Sequence, residues 1–309
     1  MNEKKICAVV VTYNRKELLV KCLDAIVAQI YKPHSVYIVD NASTDGTLKF
    51  VQEKGFYNVK VSNIMFHYLL LPKNTGGAGG FYSGIKTAYD SKEVFEAIWV
   101  MDDDGIPDDN CLNHLQQWLN MYSYISPLVL SIENPQEMAF NTLPQKNIAQ
   151  LKNNYPNGII KNHANPFNGV LFRRDFIEKV GFPKKEMFIW GDENEYETRA
   201  ASMGIYPITV MNALHLHPQD RMVSYKDFLG RFKIVYVESE LRRYCKYRNS
   251  AYILSKYLGI PKLMYFFIRY TLFYIVSRKF DIKGLSLFYQ ASIAGIRNDF
   301  TGHNKYLKK

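Results

Sequence analysis

The sequence predicts an α/β protein with an open sheet, followed by a helical and basic C-terminal region. Two observations support this prediction. Strand-like and helix-like segments alternate over the first hundred residues, and strand patterns fade from about residue 226 onward. Alternation of this kind is typical of right-handed βαβ units. We therefore expect an α/β domain over residues 1–225 and a helical region over residues 226–309.

The first elements give the clearest alternation. Ile6–Tyr13 is a continuous apolar, β-branched run, typical of a strand buried on both faces of a sheet. Residues 16–29 carry apolar side chains at helical spacing, and Pro33 ends that pattern. Ser35–Asp40 predicts a second strand, and a turn-rich segment follows it.

Later elements continue the pattern. We expect a strand near Tyr68–Leu71, a glycine-rich loop opening a helix at about Gly80–Tyr89, and a strand at Ala97–Met101. Residues 125–168 are rich in Asn, Pro and Gln, and are expected to be irregular. In open α/β sheets, ligands bind at the carboxyl ends of the strands, so the segments that follow the strands are the candidate sites.

Composition limits the function classes. The chain has 309 residues, of which 47% are hydrophobic and 22% charged, as expected for a globular protein. Its net charge of +10 indicates an acidic partner, such as nucleic acid, anionic lipid or a phosphorylated substrate. The four cysteines have neither zinc-site spacing nor the density of a disulfide scaffold. With no secretory signal pattern, they predict reduced structural thiols in a cytoplasmic protein.

The acidic run Asp102–Asp104 follows a buried strand, which places its carboxylates at the open edge of the sheet. Alternate carboxylates there can grip one divalent cation, Mg²⁺ or Mn²⁺, and bring it against a diphosphate. The alternative is a solvated acidic turn. The preceding strand and the following Gly105–Pro107 favour the metal site.

The segment Asn74–Gly84 contains five glycines among its eleven residues and lies just before a predicted helix. Glycine permits close backbone approach, and a helix N-terminus favours phosphate or sugar oxygens. The segment is neither a Walker loop nor a dinucleotide fingerprint, and a flexible surface turn is the alternative. Asp40, at the end of the second strand, could accept a hydrogen bond from a pyrimidine base or a ribose.

Four motifs in order carry a resemblance: Val9–Arg15, Val39–Thr47, Asn74–Gly84 and Asp102–Asp104. They resemble the family 2 glycosyltransferases of the GT-A fold, over roughly residues 5–220. The glycine-rich segment with the aspartate triplet looks like the subgroup of bacterial galactofuranosyltransferases and rhamnosyltransferases. The resemblance implies a Rossmann-like, nucleotide-sugar-binding sheet.

The resemblance also implies roles for individual residues. Asp102 and Asp104 would hold Mn²⁺ or Mg²⁺. A histidine from the strand-like Leu214–Pro218 would complete the site, with His217 favoured over His215. The residues expected to bind the nucleotide-sugar donor are Thr12, Tyr13, Arg15, Asp40, Asn74, Gly76, Gly77, Gly79, Gly80, Asp102 and Asp103.

A second acidic motif lies in Phe188–Tyr196. The family places its catalytic base in an acidic motif after an aromatic residue, and inverting transfer needs one carboxylate to take the acceptor proton. This alignment puts the base at Glu193, with Asp192 as the competitor, and makes Trp190 and Glu195 acceptor contacts. The alternative is a charged first turn of a helix, stabilised by the helix dipole.

The C-terminal stretch Leu263–Val276 is aromatic and apolar, with Arg269 inside it. It is shorter than the ~20 residues that a membrane-spanning helix needs. Basic and aromatic residues together suit a helix that lies in a membrane interface, here the inner face of the cell membrane. A core helix or an oligomer contact is the alternative.

Together these features predict an inverting, metal-dependent transferase acting on a cell-surface or lipid-linked glycan. UDP-galactofuranose is the expected donor, and dTDP-rhamnose is the alternative. One alternative is a nucleotidyltransferase, but that reaction gives the second acidic motif no function. Another is an inactive subunit that only binds a nucleotide sugar, and the intact carboxylates Asp102, Asp104 and Glu193 argue against it. A basic nucleic-acid-binding protein is the alternative of another class. We expect no nucleic-acid partner, because no RNP, zinc-finger or helix-turn-helix pattern is found.

Overall fold

A computed structural model describes residues 4–145, 147–219, 224–226 and 233–307. The chain divides into two compact units. The N-terminal unit comprises Met1–Pro183 and Met203–Asp220, and the C-terminal unit comprises Lys184–Ser202 and Arg221–Lys309. The chain enters the C-terminal unit for the second time at Arg221, close to the expected boundary at residues 225–226. The segment that carries the second acidic motif, however, groups with the C-terminal residues.

The N-terminal unit is built on one mixed sheet, which confirms the α/β class. Within the described residues the strand order is β3-β4-β2-β1-β5-β9-β7-β10-β6, with β8 paired to β10. The strands are β1 (Ile6–Thr12), β2 (Ser35–Asp40), β3 (Lys60–Val61), β4 (Ile64–Leu70), β5 (Ala97–Asp102), β6 (Ile106–Pro107), β7 (Tyr124–Ser131), β8 (Ile159–Lys161), β9 (Asn168–Arg173) and β10 (Ile208–His217).

Helices flank this sheet. They are α1 (Lys16–Ala28), α2 (Thr47–Glu53), α3 (Gly76–Tyr89), α4 (Cys111–Gln116), α5 (Ile148–Asn154) and α6 (Arg174–Val180). Strand β1 runs parallel to both β2 and β5, with Thr12 opposite Asp40 and Val11 opposite Asp102. The polar ends of these three strands therefore lie side by side at one edge of the sheet.

Helix α3 begins one turn earlier than expected, because the glycine-rich segment is helical from Gly76. A Cβ atom on Gly80 would lie 2.5 Å from Cγ1 of Val11, and one on Gly84 would lie 2.4 Å from Cγ1 of Val9. Both distances are far below van der Waals contact. These two glycines thus allow α3 to lie directly on β1, and the expected loop is a packed helix.

Residues 125–168 are more regular than expected, since they include β7, α5 and β8. Strand β7 is buried along its whole length. Pro127 hides it in the sequence, because proline lacks the N–H that a sheet ladder needs. The structure accommodates Pro127 where pairing is interrupted: β9 pairs with β7 only at Tyr124 and Ile125, and the register with β10 shifts after Val210.

The C-terminal unit is mainly helical, as expected. Its helices are α7 (Asp192–Ser202), α8 (Glu240–Ile253), α9 (Ile260–Leu272) and α10 (Ile282–Ile296). π-helical turns follow α8 and α9, at Leu254–Leu258 and Phe273–Ser277. The expected absence of strands is wrong, because β11 (Ser224–Lys226) pairs antiparallel with β12 (Lys233–Val235).

The core of the C-terminal unit is aromatic. Its buried residues include Tyr244, Tyr247, Tyr270, Phe273, Tyr274 and Phe288. All four cysteines of the chain are free and buried, and burial raises the pKa of each thiol. In the part of the chain that the structure describes, no helix combines the length and the apolar character needed to cross a bilayer.

Candidate functional site

The carboxyl ends of β1 and β5 bring a threonine, an arginine and the aspartate triplet together. The Thr12 hydroxyl donates to Oδ2 of Asp103 at 2.6 Å. Nη1 of Arg15 lies 3.2 Å from Oδ1 of Asp103 and 2.6 Å from Oδ2 of Asp104. Arg15 therefore bridges two carboxylates, and Thr12 fixes one of them.

The three carboxyl groups of the triplet are close enough for their charges to influence one another. Burial, with Asp104 and Asp103 nearby, raises the pKa of Asp102 well above the usual range of an aspartate. Burial raises the pKa of Asp103 to about 6, although Thr12 and Arg15 oppose this. Asp104 is different: although its burial opposes the shift, the contact with His217 and the nearby charges of His217 and Arg15 lower its pKa. Placing a cation at this strand end would relieve the repulsion.

A divalent cation fits this group of residues by charge and by available oxygen. Nε2 of His217 lies 3.3 Å from Oδ1 of Asp104, and that buried oxygen accepts no hydrogen bond of good geometry from the described residues. Carboxylate oxygen and imidazole nitrogen are both ligands of Mn²⁺-type metals. Across the described ranges, no three His, Cys, Asp or Glu side chains are already arranged as a metal cluster.

The two candidate histidines have different surroundings. His215 is fully buried, and burial lowers its pKa to about 3, which keeps it neutral. A Cβ on Gly105 would lie 2.2 Å from Nε2 of His215, so the ring packs directly on the turn that follows the triplet. His217 instead contacts Asp104, and that contact raises its pKa despite burial.

The end of β2 contributes Asp40 and Asn41. Asp40 is buried, and its carboxylate accepts hydrogen bonds from the Ser43 N–H at 2.8 Å and from the Tyr68 hydroxyl. Asn41 accepts from the N–H and the hydroxyl of Thr75, and donates to the carbonyl of Gly76 at 2.9 Å. Asn41 thus fixes the start of α3, a role that the sequence analysis did not assign.

Asn74, Gly77 and Gly79, three more of the residues expected at the donor site, lie at the same helix start. Asn74 accepts from the Gly76 N–H at 2.8 Å, and the Tyr13 residue is 42% exposed. A Cβ on Gly79 would lie 2.3 Å from Oγ1 of Thr75, whereas one on Gly77 would meet nothing within 4 Å. Gly77 is therefore the glycine of this turn with space beside it.

The sequence analysis missed a turn beside Asp102. The Asp102 N–H donates to the carbonyl of Phe167 at 3.2 Å, and the Phe167 ring stacks on Phe81 of α3 at 4.2 Å. Phe167 has a φ of +61°, which is rare for a bulky residue. Nδ2 of Asn165 and Oδ1 of Asn168 are buried without a partner in the described residues. The turn-forming Asn-Pro-Phe-Asn-Gly sequence was a signal for this feature.

The second acidic motif opens α7 in the C-terminal unit. Asp192 is buried and Glu193 is half-buried. Oε2 of Glu193 accepts from the Gly191 N–H at 3.3 Å. Glu195 is buried in an ion pair with Arg199 at 2.9 Å and accepts from the Tyr257 hydroxyl at 2.8 Å. Glu195 therefore anchors α7 within its own unit.

Two further residues belong to this motif. Trp190 adopts a φ of +59°, and the Arg242 guanidinium lies 5.7 Å from its ring centre. Glu197, which the sequence analysis missed, lies one turn after Glu193 on the same face of α7. Burial, together with the charge of Glu193, raises the pKa of Glu197 to about 7. The spacing of four residues was the signal.

Comparison with known proteins identifies the family. The model of glycosyl transferase family 2 matches residues 7–181. The galactofuranosyltransferase GlfT1 of Mycolicibacterium smegmatis is 33% identical over 307 residues, covering 96% of this chain and 97% of that protein. The GlfT1 of Mycobacterium tuberculosis is 32% identical over 290 residues, covering 91% and 92% of the two chains.

Solved structures agree on the fold. A mannosyltransferase from Pyrobaculum calidifontis, in complex with GDP-Man and Mn²⁺, has a TM-score of 0.57 at 17% identity and covers 100% of this chain and 82% of its own. Residues 1–349 of S. aureus TarS, in complex with UDP-GlcNAc, give a TM-score of 0.56 at 15% identity, covering 97% and 83%. The chain is a glycosyltransferase of the GT-A fold and belongs to glycosyl transferase family 2.

Proposed function

We propose that this enzyme transfers galactofuranose from UDP-galactofuranose to a hydroxyl of a cell-surface or lipid-linked glycan, with inversion of configuration. Similarity to the GlfT1 galactofuranosyltransferases over nearly the whole chain is the observation that supports this donor. The carboxylates of Asp102–Asp104 could hold a divalent cation, and a cation held there supports binding of a diphosphate.

Asp102, Asp104 and His217 would hold a Mn²⁺ or Mg²⁺ ion, which when bound neutralises charge on the departing diphosphate. Arg15, already between Asp103 and Asp104, keeps the triplet in place and adds positive charge at the strand end. The N-terminal end of α3, whose start is fixed by Asn41, would bind phosphate or sugar oxygens through backbone N–H groups of its first turn. Each of these contacts favours the leaving group over the intact bond.

Glu193 would act as the base. Single-displacement transfer requires one carboxylate to take the proton of the acceptor hydroxyl as that oxygen attacks the anomeric carbon. Glu193 is better suited than Glu195, which is committed to Arg199 and Tyr257. Asp192 is the competing candidate. Trp190, beside the base, would contact the acceptor.

The donor is tested by offering purified enzyme each nucleotide sugar in turn, with Mn²⁺ or Mg²⁺, and measuring transfer or donor hydrolysis. We expect faster turnover with UDP-galactofuranose than with dTDP-rhamnose. A preference for dTDP-rhamnose would overturn the donor and leave the reaction class unchanged. Turnover of neither, together with tight binding of nucleic acid, would overturn the proposal as a whole.

We further propose that the C-terminal unit attaches the enzyme to an anionic membrane surface. Large apolar side chains of α9 are exposed, namely Ile260 (70%), Met264 (58%) and Ile268 (55%). These residues recur every four positions, so they form one stripe on the helix. From Leu241 to Asn298 the chain has eleven Lys or Arg residues and a single acid, Asp281. An apolar stripe among basic residues is suited to anionic lipid headgroups.

Membrane attachment is tested by sedimentation with vesicles containing phosphatidylglycerol. The triple variant Ile260→Ser, Met264→Ser, Ile268→Ser should lose binding, while the wild type should bind less at high salt. The matched control changes Ile30, Val94 and Met121 to serine, three equally exposed apolar residues of the N-terminal unit. Equal binding of both triple variants would contradict attachment through α9.

A further inference from the structure

The loop Met187–Gly191, which leads into α7, has an unusual backbone. Phe188 has a φ of +67°, Trp190 a φ of +59° and Gly191 a φ of +100°. Two of these three residues are bulky aromatics, for which positive φ costs free energy. A loop of this shape persists only where its surroundings hold it, so the contacts that hold it are informative.

One side chain makes most of those contacts. Asn249 of α8 is fully buried, and its Nδ2 lies 3.1 Å from the carbonyl oxygen of Met187, 3.1 Å from that of Ile189 and 2.7 Å from that of Trp190. A carboxamide has two N–H donors, and here they serve three carbonyls of one loop. Asn249 therefore ties the loop together at its centre.

Arg248, the preceding residue, fixes the orientation of that amide. Its Nε donates to Oδ1 of Asn249 at 2.9 Å, and its Nη2 donates to the Met187 carbonyl at 2.6 Å. Because the amide oxygen of Asn249 is held by a donor, its NH₂ group must face the loop. A Cβ on Gly191 would lie 3.3 Å from Cβ of Asn249, which leaves little room between them.

The loop in turn contacts the carboxylate assigned as the base. Gly191 donates its N–H to Oε2 of Glu193 at 3.3 Å, and its carbonyl accepts from the N–H of Glu195 at 2.9 Å. The position of the Gly191 peptide therefore sets where the Glu193 carboxylate is held. Asn249 contacts the carbonyl of Trp190, which belongs to the same peptide unit as the Gly191 N–H.

We propose that Asn249, oriented by Arg248, is a positioning residue for Glu193: it holds the 187–191 loop in the strained form that places the catalytic carboxylate. This rests on the proposed function, in which Glu193 is the base. Asn249 acts through the loop backbone. Its loss should therefore slow the chemical step without weakening donor binding.

The test is a double-mutant cycle between Asn249→Ala and Glu193→Gln, with kcat and the donor KM measured per folded enzyme. Asn249→Ala should lower kcat about 10²-fold, the usual effect of misplacing a catalytic group by about 1 Å. Its donor KM should stay close to that of the wild type. In the Glu193→Gln background, the same substitution should lower kcat little further, because the group that it positions is already absent.

Three other variants separate positioning from simple stability. Asn249→Asp keeps the side-chain shape and the oxygen that faces Arg248 but lacks the N–H donors, so it should lose as much kcat as Asn249→Ala. If the Asn249 variants fail to fold, Gly191→Ala provides the test instead. Its added Cβ would crowd Asn249 from the loop side, so this variant should also slow turnover. Tyr236→Phe is the matched control, since it removes a buried hydrogen bond to Arg243 of α8 away from this loop.

Unchanged kcat in the Asn249→Ala enzyme, or an equal loss in both Glu193 backgrounds, would overturn the inference alone. Full activity of Glu193→Gln by itself would overturn the base assignment, and the positioning role with it. The two failures are therefore distinguishable in one set of measurements.

Discussion

The two acidic motifs of this enzyme are held in place by different means. In the N-terminal unit, Asp102–Asp104 ends a buried strand, and Arg15 and His217 face its carboxylates. In the C-terminal unit, the acids of α7 follow a loop whose backbone is held by amide and guanidinium donors from Asn249 and Arg248. The first motif is placed by sheet packing and opposite charge, and the second by hydrogen bonds to carbonyl groups.

This difference has a physical consequence for each motif. The triplet is sensitive to the removal of one carboxylate charge, because Arg15 and His217 would then lose the negative charge that they face. Hydrogen bonds to a loop make the second motif sensitive to geometry. The two motifs can therefore be compared by substitutions that remove a charge without changing side-chain shape, and by substitutions that change packing without changing charge.

The largest effect is expected for Asp104→Asn, which removes a charge from the triplet and keeps its shape. We expect metal-dependent turnover to be abolished and the far-UV circular dichroism to be unchanged, because a strand-end side chain contributes little to the core. Asp90→Asn, an exposed acid paired with Lys86, is the control and should remain active. Full activity of Asp104→Asn would disprove the metal assignment.

The next effect concerns the second motif. Glu193→Gln should lower kcat by roughly 10²–10⁴, the usual contribution of a positioned base, with donor affinity nearly unchanged. Asp192→Asn is the matched comparison at the adjacent position. If Asp192→Asn shows this loss and Glu193→Gln does not, the base is Asp192.

A smaller effect is expected from substitutions that test whether close packing on β1 fixes the position of α3. Gly80→Ala should destabilise the protein by about 1–3 kcal/mol, because the added methyl would collide with Val11. Gly77→Ala, in the same helix but with open space beside it, should be neutral or stabilise by up to about 1 kcal/mol. Urea denaturation followed by tryptophan fluorescence measures both, and equal stability of the two variants would contradict close packing of α3 on β1.

The last effect, which is confined to neutral and higher pH, is a pH dependence of stability at Glu197. Its pKa in the folded protein is about 7, raised from 4.5 by burial and then by Glu193. Between these values the folded state holds a proton that the unfolded state releases, so this group lowers stability as pH rises through that window. Glu197→Gln should therefore be more stable than the wild type above pH 7, by up to about 3 kcal/mol, and not below pH 4.5.

Thermal unfolding of both proteins at about pH 8 and about pH 4 measures this difference. Glu17→Gln removes an exposed carboxylate of α1 and serves as the control, which should show no such trend. A stability difference that is the same at both pH values would exclude protonation of Glu197 as its cause.

The sequence predicted the strands of the central sheet well where apolar runs were continuous, as in Ile6–Thr12 and Ala97–Asp102. The triplet was predicted because it directly follows one of those runs. Strand β7 was missed because Pro127 interrupts its pattern. The start of α3 was misplaced because glycine has a low helix propensity, and only tertiary packing against Val9 and Val11 favours it there.

Contacts between distant parts of the chain could not be predicted from spacing. Asn41 fixes Thr75, and Asn249 ties the loop at residues 187–191; both asparagines lie far in sequence from the residues they bind. A buried asparagine gives no pattern of its own. Glu197 was within reach of sequence analysis, since four-residue spacing on a helix places it beside Glu193.

The close packing of α3 on β1 also bears on how this enzyme could be redesigned. Enlarging Gly80 or Gly84 would force α3 or the valine side chains beneath it to shift, so the proposed donor site has little capacity to change shape on that side. The turn at residues 165–168 is a better place for diversity in a directed-evolution library. It lies beside Asp102 and carries two buried amides, Asn165 and Asn168, each with a polar atom that has no partner among the described residues. Selection for a different sugar should therefore yield substitutions in that turn before it yields any in the glycine-rich helix.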